Sequence, residues 1–270
     1  MDGILIIDKP QGMTSHDVIN ALRRKYGQKK FGHTGTLDPE ATGVLVVLCG
    51  KATKALQFLT DTDKTYIAQF ELGKRTDTDD IWGNVIETKP VRTDFDLNEV
   101  LQSFVGPLHQ KVPMTSNKRY KGRKLLEYQR KGITVPDVYQ DVTVYSVQAL
   151  NDDTFRIHCS SGTYVRSICR DLGEKTGNAA CMKSLRRVQV GRFTIDQAQT
   201  IEEEPKLYSM AQVLDHLPKI EPEDCQPVYQ GKRLYLDREE PLVCIYENGE
   251  PIAVYEKEAP GQYHSKRGLW

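Results

Sequence analysis

Gly32-His33-Thr34-Gly35-Thr36-Leu37-Asp38-Pro39-Glu40-Ala41-Thr42-Gly43 runs directly into Val44-Leu45-Val46-Val47-Leu48. Three glycines within twelve residues oppose a regular helix or strand, because glycine carries an entropic cost and supports tight or positive-φ geometry. Asp38 precedes Pro39, which biases its backbone toward an extended or turn conformation. The five apolar residues behind the loop read as a buried strand or a short core segment. One carboxylate is thus presented from a glycine-rich loop anchored to a core, a placement that suits a catalytic group. A lone Asp-Pro is also a common turn signal, so Asp38 matters only if other segments supply it with partners. Phosphate cradling is excluded, since no Gly-Lys-Ser/Thr follows and the dinucleotide fingerprint is absent.

Upstream of that loop, Ile4 to Ile7 reads as a short buried strand ended by the turn Asp8-Lys9-Pro10-Gln11-Gly12. Thr14-Ser15 then supplies an N-cap for a helix that carries Val18, Ile19, Leu22 and Tyr26 at helical spacing. Downstream, the spacing predicts a helix over 51–59. It then predicts an alternating strand over 64–72, with Tyr66, Ala68, Phe70 and Leu72 on one face. The polar stretch 73–80 lacks the glycine and terminal glutamate of a calcium loop. A helix is expected over 97–105, and a hairpin over 142–159 that turns at Asn151-Asp152-Asp153. The second hairpin strand leads through Ser160-Ser161-Gly162 into a helix with Val165, Ile168, Cys169 and Leu172 in register, which puts Arg166 in its first turn. A last helix is expected over 207–217, and a hairpin around Asn248-Gly249. Strands and helices mix without strict βαβ alternation, so the class is α+β: a mixed, mainly antiparallel sheet flanked by helices. The expected division is a main domain over 1–218 and a small β-rich domain over 219–270.

With 270 residues, 27% charged and 39% hydrophobic, the composition is that of an ordinary globular chain. No run of eighteen apolar residues exists, so no membrane span is expected, and the N-terminus does not read as a signal peptide. Six scattered cysteines form no C-x-x-C pair and the six histidines are equally dispersed. That pattern speaks against a metal site and for reduced thiols in a cytoplasmic protein. The 37 basic and 37 acidic residues cancel globally but not locally. Lys118, Arg119, Lys121, Arg123, Lys124, Arg130 and Lys131 face only Glu127 between residues 117 and 131, with Tyr120 and Tyr128 interleaved. Lys183, Arg186, Arg187 and Arg192 accompany a second apolar strand. Such basic runs with aromatics suit a nucleic-acid surface, although a solvated basic helix has the same composition.

Six stretches together resemble the TruB family of tRNA pseudouridine(55) synthases. They are Asp8 to Ser15, Gly32 to Leu45, Lys64-Thr65-Tyr66, Gly73 to Thr78, Cys159 to Arg166, and Leu185 to Gly191, in the family's order over roughly residues 1 to 195. The resemblance implies isomerisation of a uridine in the tRNA T-loop to pseudouridine, without cofactor or metal. It implies that Asp38 is the essential carboxylate, as nucleophile or base, and that Tyr66 stacks on the target base. It further implies that Arg166 pairs with Asp38, that Leu185 walls the pocket, and that His33 contacts the RNA. Lys9, Lys121, Arg123 and Arg186 are expected on the substrate. The 219–270 segment resembles a shortened PUA domain, an RNA-binding appendix. A monomer that needs no guide RNA or protein partner is expected. One departure stands out: the family's Pro-Met-Tyr-Ser-Ala reads Pro113-Met114-Thr115-Ser116-Asn117 here, so a threonine replaces an aromatic. The competing reading is a catalytically silent RNA-binding protein that uses the same basic surfaces.

Overall fold

The strand expected around Ile4 extends from Gly3 to Lys9 in the computed structural model, which describes residues 1–59 and 62–270. Its Leu5 and Ile7 pack with Leu45, Val47 and Cys49 of the adjacent strand Thr42–Cys49 and with Val18, Ile19 and Leu22 of the helix Ser15–Tyr26. That helix starts where the sequence places it. Thr14 Oγ1 accepts the Asp17 N–H at 3.0 Å while Asp17 returns a carboxylate oxygen to the Thr14 N–H at 2.9 Å. This reciprocal capping satisfies two of the donors that a helix start leaves open.

The chain gathers into two compact units. One comprises Met1–Pro39, Leu45–Thr60 and Asp196–Trp270, and the other Glu40–Val44 and Asp61–Ile195, so the borders interleave rather than cutting the chain once at 218. In the first unit, Phe31–Thr34 pairs antiparallel with residues 46–49, so residues 35–41 form the tip of a hairpin. The outer edge of Gly3–Lys9 is covered by backbone bonds from Gln199 and Tyr208, which removes an open sheet edge. Residues 219–268 build a separate five-stranded sheet, closed over Val228, Val243, Ile245, Ala253, Tyr255 and Tyr263. Its central hairpin turns at Asn248 and Gly249, with φ of 52° and 81°. Positive φ at both positions is the tight-turn geometry that the Asn-Gly pair predicts.

Two helical expectations fail in this unit. Residues 50–58 wind as a 3-10 helix, in which three residues per turn align Ala52 with Ala55 against the core and no side chain caps the start. Residues 207–217 yield only the single turn Met210–Val213. Tyr208 exchanges two backbone bonds with Ile4, at 2.8 and 2.9 Å, which holds it extended until Ser209 caps the turn. Tertiary pairing overrides the helical spacing here.

The second unit is built on an antiparallel sheet in the order Ala180–Val190, Lys64–Leu72, Thr154–Cys159, Tyr139–Asn151, Gly106–Lys111. Thr42 and Gly43 add a short parallel pairing to Arg186 and Arg187. Gly43 has φ +102°, and a Cβ there would lie 2.1 Å from the Arg187 carbonyl oxygen, so only glycine fits. The helix Val165–Lys175 buries Val165, Ile168, Cys169 and Leu172, the face read from their spacing. The helix expected over 97–105 ends at Gln102, because Gly106 already begins a strand.

Candidate active site

Asp38 sits at the hairpin tip, partly exposed, and both of its chain neighbours are tied down. The Leu37 N–H donates to Ser15 Oγ at 2.9 Å, and Ser15 Oγ–H donates back to the Leu37 carbonyl at 3.2 Å. On the other side, the Pro39 carbonyl accepts from Lys9 Nζ at 2.9 Å and from the Gly12 N–H at 3.0 Å. Residues 9–15 therefore form a cradle for the Asp38 loop, which explains why the two motifs occur in one chain. The carboxylate rests on a fixed backbone, the pre-organisation a catalytic group needs.

Lys9, expected on the substrate, lies under this loop. It is fully buried, and its ammonium donates to the carbonyls of Pro10 at 2.8 Å, Met13 at 2.5 Å and Pro39 at 2.9 Å. A lysine held in that way is a strut for the loop. His33 lies half-buried on Phe31–Thr34, opposite Val47.

In the second unit, Tyr66 is 8% exposed on Lys64–Leu72, flanked by Ile157 on one neighbouring strand and Arg187 on the other. Leu185 stands opposite Ala68, so Tyr66 and Leu185 are diagonal neighbours on one sheet face. The structure thus places these two side by side. The basic run beside them divides. Lys183 and Arg192 are exposed and Arg186 is half-buried with Nη1 3.2 Å from Thr42 Oγ1. Arg187, read from the sequence as part of a phosphate surface, is 1% exposed and donates Nε–H to the Val44 carbonyl at 2.8 Å. It is a core residue whose charge is satisfied by backbone.

Arg166 is 4% exposed in the first turn of Val165–Lys175. Its Nη1 donates to the Thr78 carbonyl at 2.9 Å and to Thr115 Oγ1, and its Nη2 to the Thr115 carbonyl at 3.2 Å. Asp80 Oδ2 lies 3.7 Å from Nη1. The other Asp80 oxygen accepts from Thr78 Oγ1 at 2.7 Å and from the Trp82 N–H at 3.1 Å. One helical turn on, Arg170 Nη1 donates to Asp79 Oδ2 at 2.9 Å and its Nε to Asp171 at 2.8 Å. Burial pushes the Asp79 carboxyl up, with Arg170 and then Arg166 pulling it back. The sequence reading does not single out Asp79, Asp80 and Thr115 as partners of this helix, nor Arg170 as the second arginine on it. The i, i+4 spacing of Arg166 and Arg170 was the available signal, but nothing in the sequence links it to consecutive aspartates some ninety residues away.

The segment 117–131 forms a small hairpin, Arg119–Tyr120 against Arg123–Lys124, followed by the helix Leu125–Arg130. Lys121 and Arg123 are exposed, Lys121 at φ 46° in the turn and with Nζ 5.4 Å from the Tyr120 ring centre. Tyr128 meets Tyr120 edge-on at 6.2 Å. Cations and aromatic edges displayed together suit an RNA backbone with splayed bases. Burial raises the thiols of Cys49, Cys159 and Cys181 to about 11, which argues against a cysteine nucleophile at any of them. Among the described residues, no group of His, Cys, Asp and Glu side chains could hold a metal ion.

Residues 23–165 match the TruB family pseudouridylate synthase N-terminal domain, and residues 166–220 the tRNA pseudouridylate synthase B C-terminal domain. The chain is 43% identical over 219 residues to tRNA pseudouridine synthase B of Pectobacterium atrosepticum, covering 79% of this chain and 70% of the relative. It is 39% identical over 268 residues to tRNA pseudouridine synthase B of Alkaliphilus oremlandii, covering 91% and 90%. Among solved structures, the crystal structure of a Cbf5-Nop10-Gar1 complex superposes with a TM-score of 0.73 at 24% identity, over all of this chain and 85% of that one. That likeness supports the fold alone. The motifs, the cradled aspartate and the matched domains agree, and the chain belongs to the TruB family of pseudouridylate synthases.

Proposed function

We propose that this enzyme isomerises uridine 55 in the T-loop of tRNA to pseudouridine, acting alone, as a cytoplasmic monomer without cofactor. The observation that carries the reading is the Asp38 loop, a carboxylate fixed from both sides by the segment 9–15. In the reaction the bond from uracil N1 to C1′ breaks, the base turns, and C5 bonds C1′. The C5 proton leaves and N1 regains one, so no oxidant or second substrate is consumed. Asp38 supplies the carboxylate. Attack at C1′, attack at C6 and removal of a ribose proton are the chemistries open to it.

A uridine within a folded loop must first be swung out, at a cost of a few kcal/mol. Stacking on Tyr66 beside the Leu185 wall offsets about 1–3 kcal/mol of that. Arg166 is the catalytic arginine of the reaction. His33 and Arg186 contact the RNA near the extruded base, while Lys121 and Arg123 hold phosphates, and residues 219–270 extend the RNA surface. No helix among the described residues is long and apolar enough to cross a membrane. The test is to treat an unmodified tRNA transcript with the purified chain and map pseudouridine by carbodiimide modification and primer extension. A stop at position 55 that is absent from a U55C transcript supports the reading. Modification elsewhere, or only with an added guide RNA, overturns it.

A further inference from the structure

We propose that Thr115 is a positioning residue for Arg166, and that its hydroxyl fixes the plane of the guanidinium for the reaction. The inference rests on the role given to Arg166 above. Oxygen atoms of Thr78, Asp80 and Thr115 approach this guanidinium. The Thr78 carbonyl and Asp80 Oδ2, at 2.9 and 3.7 Å, both address Nη1. Thr115 reaches both arms of the fork, its Oγ1 accepting from Nη1 and its carbonyl from Nη2. A planar group gripped at both arms by one residue cannot rotate about its Cζ–Nε bond without losing both contacts.

Thr115 is itself held firmly. The Val112 N–H donates to the Val138 carbonyl at 2.9 Å, and the Leu126 N–H to the Ser116 carbonyl at 3.1 Å, so the loop is tied on each side. Val112 and Pro113 are buried ahead of it. A threonine is stiff at χ1, so the hydroxyl that meets Nη1 is placed by the backbone rather than by a flexible stem. This is the position at which the chain departs from the family's aromatic. The replacement has a defined job here: it turns a loop residue into a two-point rest for Arg166.

The two variants that test this are Thr115→Val, which keeps the shape and deletes the hydroxyl, and Thr115→Ser, which keeps the hydroxyl. Single-turnover conversion of tRNA is measured with enzyme in excess, together with tRNA affinity and the urea midpoint. Loss of a hydrogen bond to a charged group predicts a single-turnover rate about tenfold lower for Thr115→Val. Affinity and midpoint should stay at their wild-type values, and Thr115→Ser should recover most of the rate. In an Arg166→Lys background, Thr115→Val should cost nothing further, because the fork it serves is gone. Equal rates for wild type and Thr115→Val would overturn the proposal. So would a Thr115→Ser as slow as the valine variant, or a rate loss matched by weaker tRNA binding. A wild type that converts no uridine would overturn the proposed function and this role with it.

Discussion

Replacing Arg170 by methionine should expose how much the second unit depends on one buried ion pair. Arg170 Nη1 lies 2.9 Å from Asp79 Oδ2, with side chains only 9% and 12% exposed. Its Nε and Nη2 reach Asp171 Oδ1 at 2.8 and 2.7 Å, and Nη2 the Lys111 carbonyl at 3.4 Å. Methionine fills much of the same space, so the change removes charge more than volume. Breaking such a pair leaves a buried charge without compensation, a loss of about 3–5 kcal/mol. Asp171 is better exposed, at 30%, and Arg166 also acts on Asp79, which places the expected loss near the lower end, about 3 kcal/mol.

The pH dependence fixes the sign independently. Burial already raises Asp79, and without Arg170 it should rise further. A carboxyl raised by folding keeps its proton in the native state at pH values where the unfolded chain has lost it. Its contribution to stability is therefore full below the ordinary carboxylate range and is lost as pH rises through the folded value. The penalty of Arg170→Met should accordingly be larger at pH 8 than at pH 5. The assay is equilibrium urea unfolding at both pH values for wild type, Arg170→Met, Asp79→Asn and the double variant. The double variant should regain much of the loss, since the buried Asp79 carboxylate is gone and the carboxylate that remains, Asp171, is better exposed. A loss below about 1 kcal/mol would refute the reasoning, as would a double variant no more stable than Arg170→Met or a penalty that grows on acidification.

Lys9→Met should loosen the Asp38 loop, because the Pro10, Met13 and Pro39 carbonyls lose their shared donor. The expectation is a stability loss of about 1–3 kcal/mol by urea unfolding, with turnover reduced and the salt dependence of tRNA binding unchanged, since the buried ammonium is engaged by three backbone carbonyls. Lys121→Ala with Arg123→Ala should do the reverse. Thermal stability should stay constant while the slope of log affinity against log salt flattens by about 1–2, as expected for two lost phosphate contacts.

Local signals were legible where backbone chemistry decides the outcome. The Thr14 cap, the Asn248-Gly249 turn, the 142–159 hairpin and the helix that opens at Val165 all fall where the residues place them. Misreadings arise where a distant segment intervenes. Tyr208 pairs with Ile4 and gives up a helix, and Arg187 and Lys9 turn inward because carbonyls some thirty to a hundred and forty residues away accept their charge. Composition counts such residues as surface cations, since burial of a charge depends on partners that spacing does not reveal. The same limit hid the partners of Arg166. The motif names the arginine, but its rests on Thr78, Thr115 and Asp80 come from two loops that only the fold assembles.

The central claim is that Asp38 carries the chemistry of a uridine isomerase. Tritium release from a tRNA transcript labelled at uridine C5 tests it most directly, with wild type and Asp38→Asn compared at equal tRNA binding. Release by wild type and none by Asp38→Asn is the predicted result. Equal release by both would remove Asp38 from the mechanism, and binding without release by either would leave an RNA-binding protein with no isomerase activity.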